Sequence, residues 1–203
     1  MPAAAAHLSV RIVQSVHVRA APGEDVLTSL SPRTEFGSQQ TVSVVERRGR
    51  WLGIVTTDLP NGEIGWIDSR SAGVVLGRVR MSVEIDLSRR LLVVRRDGDV
   101  VRRASVGIGR AGSATPIGRF AVTDKLSGSD YGPYYGCCIV ALSAHQPNLP
   151  AGWTGGDRIA IHGTNDPGSI GVPSSAGCPH ASDEVMRFLM ARVPLGTPVL
   201  IHP

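Results

Sequence analysis

Short runs of apolar residues, each cut off by glycine, proline or an Asn/Asp-Gly turn, fill this chain, and only one stretch keeps a helical period. That pattern predicts a protein that is all-β, or mainly so. In the first third, strand-like runs at 9–13, 40–45, 51–55 and 63–67 are separated by Pro22-Gly23, Arg48-Gly49 and Pro60-Asn61-Gly62. Five or six short strands with tight turns make a small barrel. The pattern pauses over 73–80 and restarts at 82–87 and 91–96. Asp97-Gly98 then predicts a hairpin pairing 91–96 with 100–106. In the helical stretch Ser182 is placed to cap, and Asp183 and Glu184 complement the first-turn dipole. Val185, Phe188, Leu189 and Arg192 recur at helical spacing until Pro194 ends it. A final strand follows at 197–201. The expected organisation is a small barrel over 8–73, a linker at 74–80 and a larger β domain over 81–203.

With 203 residues the chain can bury two cores. Its 24 glycines and 14 prolines suit many short strands and turns. The net charge is +4, Lys125 is the only basic residue that is not arginine, and aromatics make up 4%. Dispersed charge with so few rings offers no base-stacking platform, so nucleic acid is not an expected partner. A mildly basic surface suits an anionic polymer such as a cell wall, and equally suits simple solubility. No apolar stretch is long enough to cross a membrane, so no transmembrane segment is expected. The opening residues 1–7 lack the charged start and long apolar run of a signal peptide. Three cysteines, Cys137, Cys138 and Cys178, are too few and too clustered for a disulfide framework, which leaves a nucleophile as one use for them.

Residues 107–112 read Gly-Ile-Gly-Arg-Ala-Gly, a match to the dinucleotide-binding pattern that follows a strand-like run. A phosphate loop of that kind must open into a helix. Here 113–118 continue as turn and enter the strand 119–122, so a glycine-rich connection between strands is the better reading and no cofactor is expected.

The chemistry concentrates in Ile161-His162-Gly163-Thr164-Asn165 and Ser174-Ser175-Ala176-Gly177-Cys178-Pro179-His180. A thiol with an ordinary pKa near ~8.5 is mostly protonated at neutral pH, so a nucleophilic cysteine needs an imidazole or a helix N-terminus beside it. His162 lies upstream across a loop, and the helix capped by Ser182 begins just downstream. Gly177 lets the backbone bend so that N–H groups can face a developing oxyanion. Singly, a cysteine is more often a small buried hydrophobe and a histidine a structural residue. Together, in a polar Gly/Ser-rich loop, they point to nucleophilic catalysis.

Two resemblances attach to these residues. The first third resembles bacterial SH3-like domains, through Val18-Arg19-Ala20-Ala21-Pro22, Arg50-Trp51 and Gly65-Trp66-Ile67. From residue 82 to about 201 the chain is similar to the L,D-transpeptidase (YkuD-type) catalytic domain. That likeness is carried by His162-Gly163-Thr164, Ser175-Ala176-Gly177-Cys178, Thr115-Pro116-Ile117-Gly118-Arg119-Phe120 and Tyr131-Gly132-Pro133-Tyr134. The resemblance implies a β-sandwich-like domain with one short helix after the cysteine. It also implies an extracytoplasmic enzyme of cell-wall biogenesis and cell shape, in the cell wall or periplasmic space.

By that resemblance Cys178 attacks the carbonyl between the third and fourth residues of a peptidoglycan stem tetrapeptide and releases D-alanine. His162 activates the thiol and then an amine acceptor, giving a 3→3 cross-link; water as acceptor would make an L,D-carboxypeptidase. The N–H groups of Gly177 and Cys178 would hold the oxyanion, supported by Gly163 and Ser175. Tyr131, Tyr134, Thr164, Asn165 and His180 would contact substrate, and β-lactams of the carbapenem type would acylate the thiol.

The sequence departs from the family pattern at Ala176, Pro179 and His180, where a second histidine, an aliphatic residue and Arg or Asn are usual. These departures leave open a catalytically weak or silent wall-binding module. A zinc site from His162, Cys178, His180 and Cys137 or Cys138 is chemically conceivable, but the Cys-Pro-His spacing is unlike common structural-zinc spacings, and no metal is expected. NlpC/P60-like endopeptidases place Cys before His, the reverse of the order here. Cys137 and Cys138 read as buried structural thiols, or as partners that could trap Cys178 in a disulfide.

Overall fold

A computed structural model describes residues 6–203, so most of the opening segment weighed as a signal peptide lies outside the described residues. The fold is mainly β with one α-helix. The first unit holds β1 (His7–Ile12), β2 (Val16–Arg19), β3 (Val26–Leu30), β4 (Thr41–Arg48), β5 (Trp51–Val55), β6 (Gly65–Asp68) and β7 (Val74–Val79). They form one antiparallel sheet in the order β3-β2-β6-β5-β4-β1-β7. Laid flat, seven strands would span roughly 29 Å. Val10, Ile12, Val18, Leu30, Leu52, Ile54 and Ile67, drawn from nearly all of them, nevertheless form a single buried cluster, so the sheet must curl around it. Its hydrogen-bond ladder stays open between β3 and β7.

The expected linker at 74–80 is not a linker. Residues 74–79 are β7, paired along its whole length with β1. Gly73 and Gly77 read as punctuation, yet each is a site of close approach: a Cβ at 73 would lie 2.4 Å from Gln14 O, and one at 77 would lie 3.1 Å from Ser9 Oγ. Only Arg80 separates β7 from the next sheet.

The second unit holds β8 (Met81–Asp86), β9 (Leu91–Arg96), β10 (Asp99–Ser105), β11 (Ile108–Gly109), β12 (Gly118–Ser127), β13 (Cys138–His145), β14 (Arg158–His162), β15 (Pro173–Ser175), α1 (Asp183–Arg192) and β16 (Pro198–His202). Its main sheet runs β10-β9-β8-β16-β12-β13-β14, antiparallel except where β16 joins β8, while β11 and β15 pair in parallel as a small separate ladder. Asp97 and Gly98 both take positive φ, 53° and 88°, so the β9–β10 hairpin forms as its turn residues dictate. Ser182 Oγ accepts the Val185 N–H at 3.4 Å, capping α1 as expected. The helix buries Val185, Met186 and Leu189 in the second core, each contributing roughly 1.5–3 kcal/mol.

The units are docked by specific bonds. Asn61 Nδ2 donates to His145 O at 2.6 Å and its Oδ1 accepts the His145 N–H at 2.9 Å. Thr34 Oγ1 donates to the Asp124 carboxylate, which is fully buried.

Candidate active site

β14 is the last strand of the second sheet and His162 is its last residue. The segment 179–181 lies against it: the His162 N–H donates to Pro179 O at 3.1 Å, and the Ala181 N–H donates to His162 O at 2.9 Å. On its other side this segment exchanges two backbone bonds, of 2.8 and 3.0 Å, between Gly107 and His180. Held on both flanks, it fixes Cys178 at its entrance. A Cβ at 107 would lie 2.0 Å from His180 Nε2, and one at 109 would lie 2.3 Å from Ser113 O. The first two glycines of the dinucleotide-like pattern therefore serve close packing beneath the site, and the chain beyond them runs through turn into β12.

The loop before the thiol is clamped from below. The Gly177 N–H donates to Ser175 Oγ at 3.0 Å, and Thr115 Oγ1 donates to Gly177 O at 2.8 Å while accepting the Gly109 N–H at 2.9 Å. Gln146 Nε2 donates to Ala176 O at 3.0 Å and to Ala114 O at 3.1 Å. Gly177 sits at φ +129° with its missing Cβ aimed at Gln146 Nε2, so only glycine fits without displacing that amide. With the Gly177 N–H committed to Ser175, only the Cys178 N–H of the two expected oxyanion donors is left without a hydrogen-bond partner among the described residues.

Cys178 Sγ accepts the Ala160 N–H at 3.4 Å and lies 3.9 Å from Arg158 O, so β14 cradles the sulfur. The residue is half-buried, and desolvation pushes the thiol up to about 11 against the opposing Ala160 N–H. His162 Nδ1 is 2.5 Å from Gly163 O. A carbonyl only accepts, so the ring proton is on Nδ1 and Nε2 keeps its lone pair. That Nε2 is buried without a hydrogen-bond partner among the described residues. Burial pulls His162 down to about 4, offset only in part by the bond to Gly163.

Burial thus favours the neutral form of both groups over a thiolate–imidazolium pair. Both groups are neutral at neutral pH, and no hydrogen bond joins them; desolvation disfavours the charged form of each. The helix α1 begins at Asp183, five residues beyond Cys178, with two carboxylates in its first turn.

Cys178 and His162 line one cavity of about 130 Å³. Five of the chain's nine aromatic side chains surround it: Phe36, Tyr131, Tyr134, Tyr135 and Trp153. The Tyr135 and Tyr134 rings lie 5.0 and 5.4 Å from the imidazole. Burial raises both phenols, so each is a neutral donor.

Of the expected substrate contacts, Tyr131 and Tyr134 are in this lining and Thr164, Asn165 and His180 are not. Thr164 Oγ1 accepts the Asp166 N–H at 3.0 Å, stabilising a turn, and Asn165 is exposed beside it. His180 is buried under the loop with Nε2–H donating to Ser169 O at 3.2 Å, because Gly107 leaves room for its ring on the inner side. Gly163 supports the site through its backbone, its N–H donating to Cys138 O at 3.0 Å. Ser175 is buried as the Gly177 acceptor.

Cys137 and Cys138 correct a further expectation. They are bonded to each other, so neither is a free thiol and neither traps Cys178. The Cys137 N–H donates to Asp183 Oδ1 at 3.0 Å, tying this pair to the helix start. Among the described residues no group of three or more His, Cys, Asp or Glu is placed to hold a metal ion, which removes the zinc alternative's ligand set.

Sequence reasoning passed over Gln146, Arg158, Phe36, Tyr135 and Trp153. Tyr135 was within reach, since it adjoins Tyr134 in a chain with three tyrosines. The others are brought in by tertiary contacts that leave no local signal.

Comparison with known proteins agrees with this geometry. The family described as YkuD, L,D-transpeptidase catalytic domain, matches residues 80–201. Bacillus subtilis (strain 168) YqjB, which carries the L,D-transpeptidase name, is 35% identical over 117 residues, covering 54% of this chain and 64% of its own. Escherichia coli (strain K12) YbiS, likewise named, is 33% identical over 110 residues, 46% of this chain and 35% of its own. The chain thus spans less than two thirds of the length of these curated relatives. The solved L,D-transpeptidase LdtMt1, in complex with imipenem, matches at TM-score 0.50 and 15% identity over 79% of this chain and 98% of that one, a likeness of fold alone. The chain belongs to the YkuD-type family of L,D-transpeptidase catalytic domains.

Proposed function

We propose that this protein is a cysteine-dependent L,D-transpeptidase acting on peptidoglycan stem peptides outside the cytoplasm. The observation that carries this reading is the placement of Cys178 and His162 in the lining of one cavity, with His162 Nε2 unprotonated, buried and unpartnered. An unsatisfied buried acceptor costs stability and calls for an explanation, and a proton to receive from the thiol in the same cavity supplies one for His162 Nε2. As the sulfur bonds to the donor carbonyl carbon, the S–H proton passes to Nε2, so no thiolate need exist beforehand. The oxyanion is met by the Cys178 N–H. Collapse breaks the C–N bond, Nε2 returns the proton to the departing D-alanine amine, and a thioester remains. An acceptor amine from a second stem peptide then attacks, its proton goes to Nε2, and the sulfur leaves and is reprotonated. Water in place of the amine gives the carboxypeptidase outcome.

The first unit, which resembles SH3-like domains, is read as a module that binds wall peptide or positions the catalytic unit. A weaker enzyme, or a silent wall-binding module, is the second reading. It is favoured by the raised thiol and by the lack of a Cys178–His162 hydrogen bond. Intact-protein mass spectrometry after carbapenem exposure separates them. A single adduct on Cys178, absent from Cys178→Ala, is expected; no adduct after prolonged exposure would leave the silent reading.

A further inference from the structure

The cavity holding the thiol is not built by the second unit alone. Phe36, from the loop between β3 and β4, lines it, although this residue lies far outside the matched residues 80–201. The loop is pre-shaped for the task. Gly37 takes φ +83°, its N–H donates to Thr34 O at 3.0 Å, and Arg33 Nη1 donates to Gly37 O at 2.8 Å. Its position is then locked onto the second unit. Thr34 bonds Asp124, and Glu35 Oε1 pairs with Arg158 Nη1 at 2.5 Å.

Arg158 is itself immobilised. Nε donates to Leu142 O at 3.0 Å and Nη2 to Thr123 Oγ1 at 3.0 Å, while the guanidinium stands 5.7 Å from the centre of the Phe36 ring. Phe36 also meets Tyr131 edge-on at 6.4 Å. Arg158 opens the strand whose backbone cradles the sulfur, so the ring, the clasp and the thiol share one rigid support.

We propose that Phe36 is a substrate-positioning residue, and that through it the first unit completes the wall against which the donor stem peptide lies. The Arg158 charge is countered by Glu35 and Asp124, the latter 3.7 Å away, which leaves this side of the cavity an apolar ring face. Such a face suits the methyl and methylene groups of an alanine- and diamino-acid-containing peptide, and excludes water from them. The peptide identity rests on the proposed transpeptidase function; the wall itself does not.

Equilibrium binding of a stem tetrapeptide by calorimetry, in a Cys178→Ala background, tests the wall without any chemistry. Phe36→Ala should weaken binding about 3- to 10-fold, the size expected for one aromatic contact. Phe36→Tyr should restore it, with both variants melting near the parent. In the active enzyme Phe36→Ala should raise KM by a similar factor with kcat within about twofold, as lost uniform binding does. Iodoacetamide should alkylate Cys178 no more slowly in Phe36→Ala, since so small a reagent needs no wall.

Equal peptide affinity in Phe36→Ala and its parent would overturn the proposal, as would failure of Phe36→Tyr to rescue. A parent that binds peptide in a Phe36-dependent way, yet is never acylated by a carbapenem, would keep the wall and sink the transpeptidase reading. Acylation with no Phe36 dependence of binding would do the reverse. No peptide binding by the parent would overturn the proposal that the stem peptide lies against this wall.

Discussion

The two units solve the same folding problem with different interiors. Among the described residues the first buries only uncharged polar side chains, Ser9, Gln40, Ser43 and Thr56, beneath its curled sheet. The second buries Asp124, His162 and His180, and among the described residues the buried side-chain nitrogen and oxygen atoms without a hydrogen-bond partner all belong to it: Arg102 Nε, Asp124 Oδ2, His162 Nε2 and His180 Nδ1. Burying polar groups without partners costs roughly 1–3 kcal/mol each. The first unit, which carries neither the thiol nor the imidazole, avoids that cost among its described residues. The second carries it at His162 Nε2, inside the cavity that the thiol also lines, and at Arg102, Asp124 and His180 outside that lining, so of the four only His162 is placed for chemistry.

The largest expected effect breaks the contrast at His162. His162→Ala should slow acylation of Cys178 about 10²–10⁴-fold, the usual weight of a general base, whereas replacing His17 in the first unit should leave the rate unchanged. The pH profile sharpens the point. A base with its pKa near 4 loses activity only as pH falls through that value, and a thiol near 11 adds a thiolate route only as pH climbs toward that value and levels off beyond it, so the proton-transfer route through His162 should be flat across neutral pH. Stopped-flow acylation between these limits checks this. A limb centred between about 6 and 7, near the ordinary histidine value, would show a solvated imidazole and overturn the buried neutral pair.

A smaller effect concerns stability. His162 in the fold binds a proton less readily than in the unfolded chain, so the fold loses stability as pH drops from the ordinary value of 6.5 toward about 4. The difference amounts to about 3 kcal/mol. His180, also lowered by burial, acts with the same sign. Hydrogen exchange at the acid end of that window should show β13 and β14 losing protection before β4 and β5, because the first unit buries no such group. Equal loss in both would mean that the docking bonds of Asn61 and Thr34 make the units unfold together.

Much of this arrangement was written locally. Asp97-Gly98 fixed its hairpin, Ser182 its helix, and the Cys178 and His162 loops announced the chemistry through their own residue types. Strand β7 escaped because Gly73 at its entrance and Gly77 within it serve close approach rather than turning. The walls of the cavity escaped for a different reason. Phe36 meets Tyr131 and Arg158 across about half the chain's length, and Gln146 reaches the loop before Cys178 from the far end of β13. Period and turn chemistry report neighbours within a few residues, so contacts of that range leave no trace in them. The neutral resting state was hidden likewise, since it follows from burial of the pair and not from which residues form it.

The smallest expected effect compares one glycine in each unit. Gly62 sits at φ +87° with open space where a Cβ would go, whereas Gly177 sits at φ +129° with Gln146 Nε2 only 1.9 Å from that position. Gly62→Ala should cost about 1 kcal/mol, the strain of a left-handed residue alone. Gly177→Ala carries backbone strain of about 1–3 kcal/mol and must also push the Gln146 amide off Ala176 O and Ala114 O. The amide is buried where these bonds form, Gln146 being 4% exposed. Its lost bonds should add about 1 kcal/mol. Chemical denaturation of Gly177→Ala, Gln146→Ala and the double variant separates the two contributions, because removing Gln146 first should relieve the clash and leave the strain. Additive costs in that cycle would mean the amide yields freely and φ alone demands glycine before the thiol. A coupling of about 1 kcal/mol would show the clamp beneath Cys178 to be built around the missing side chain.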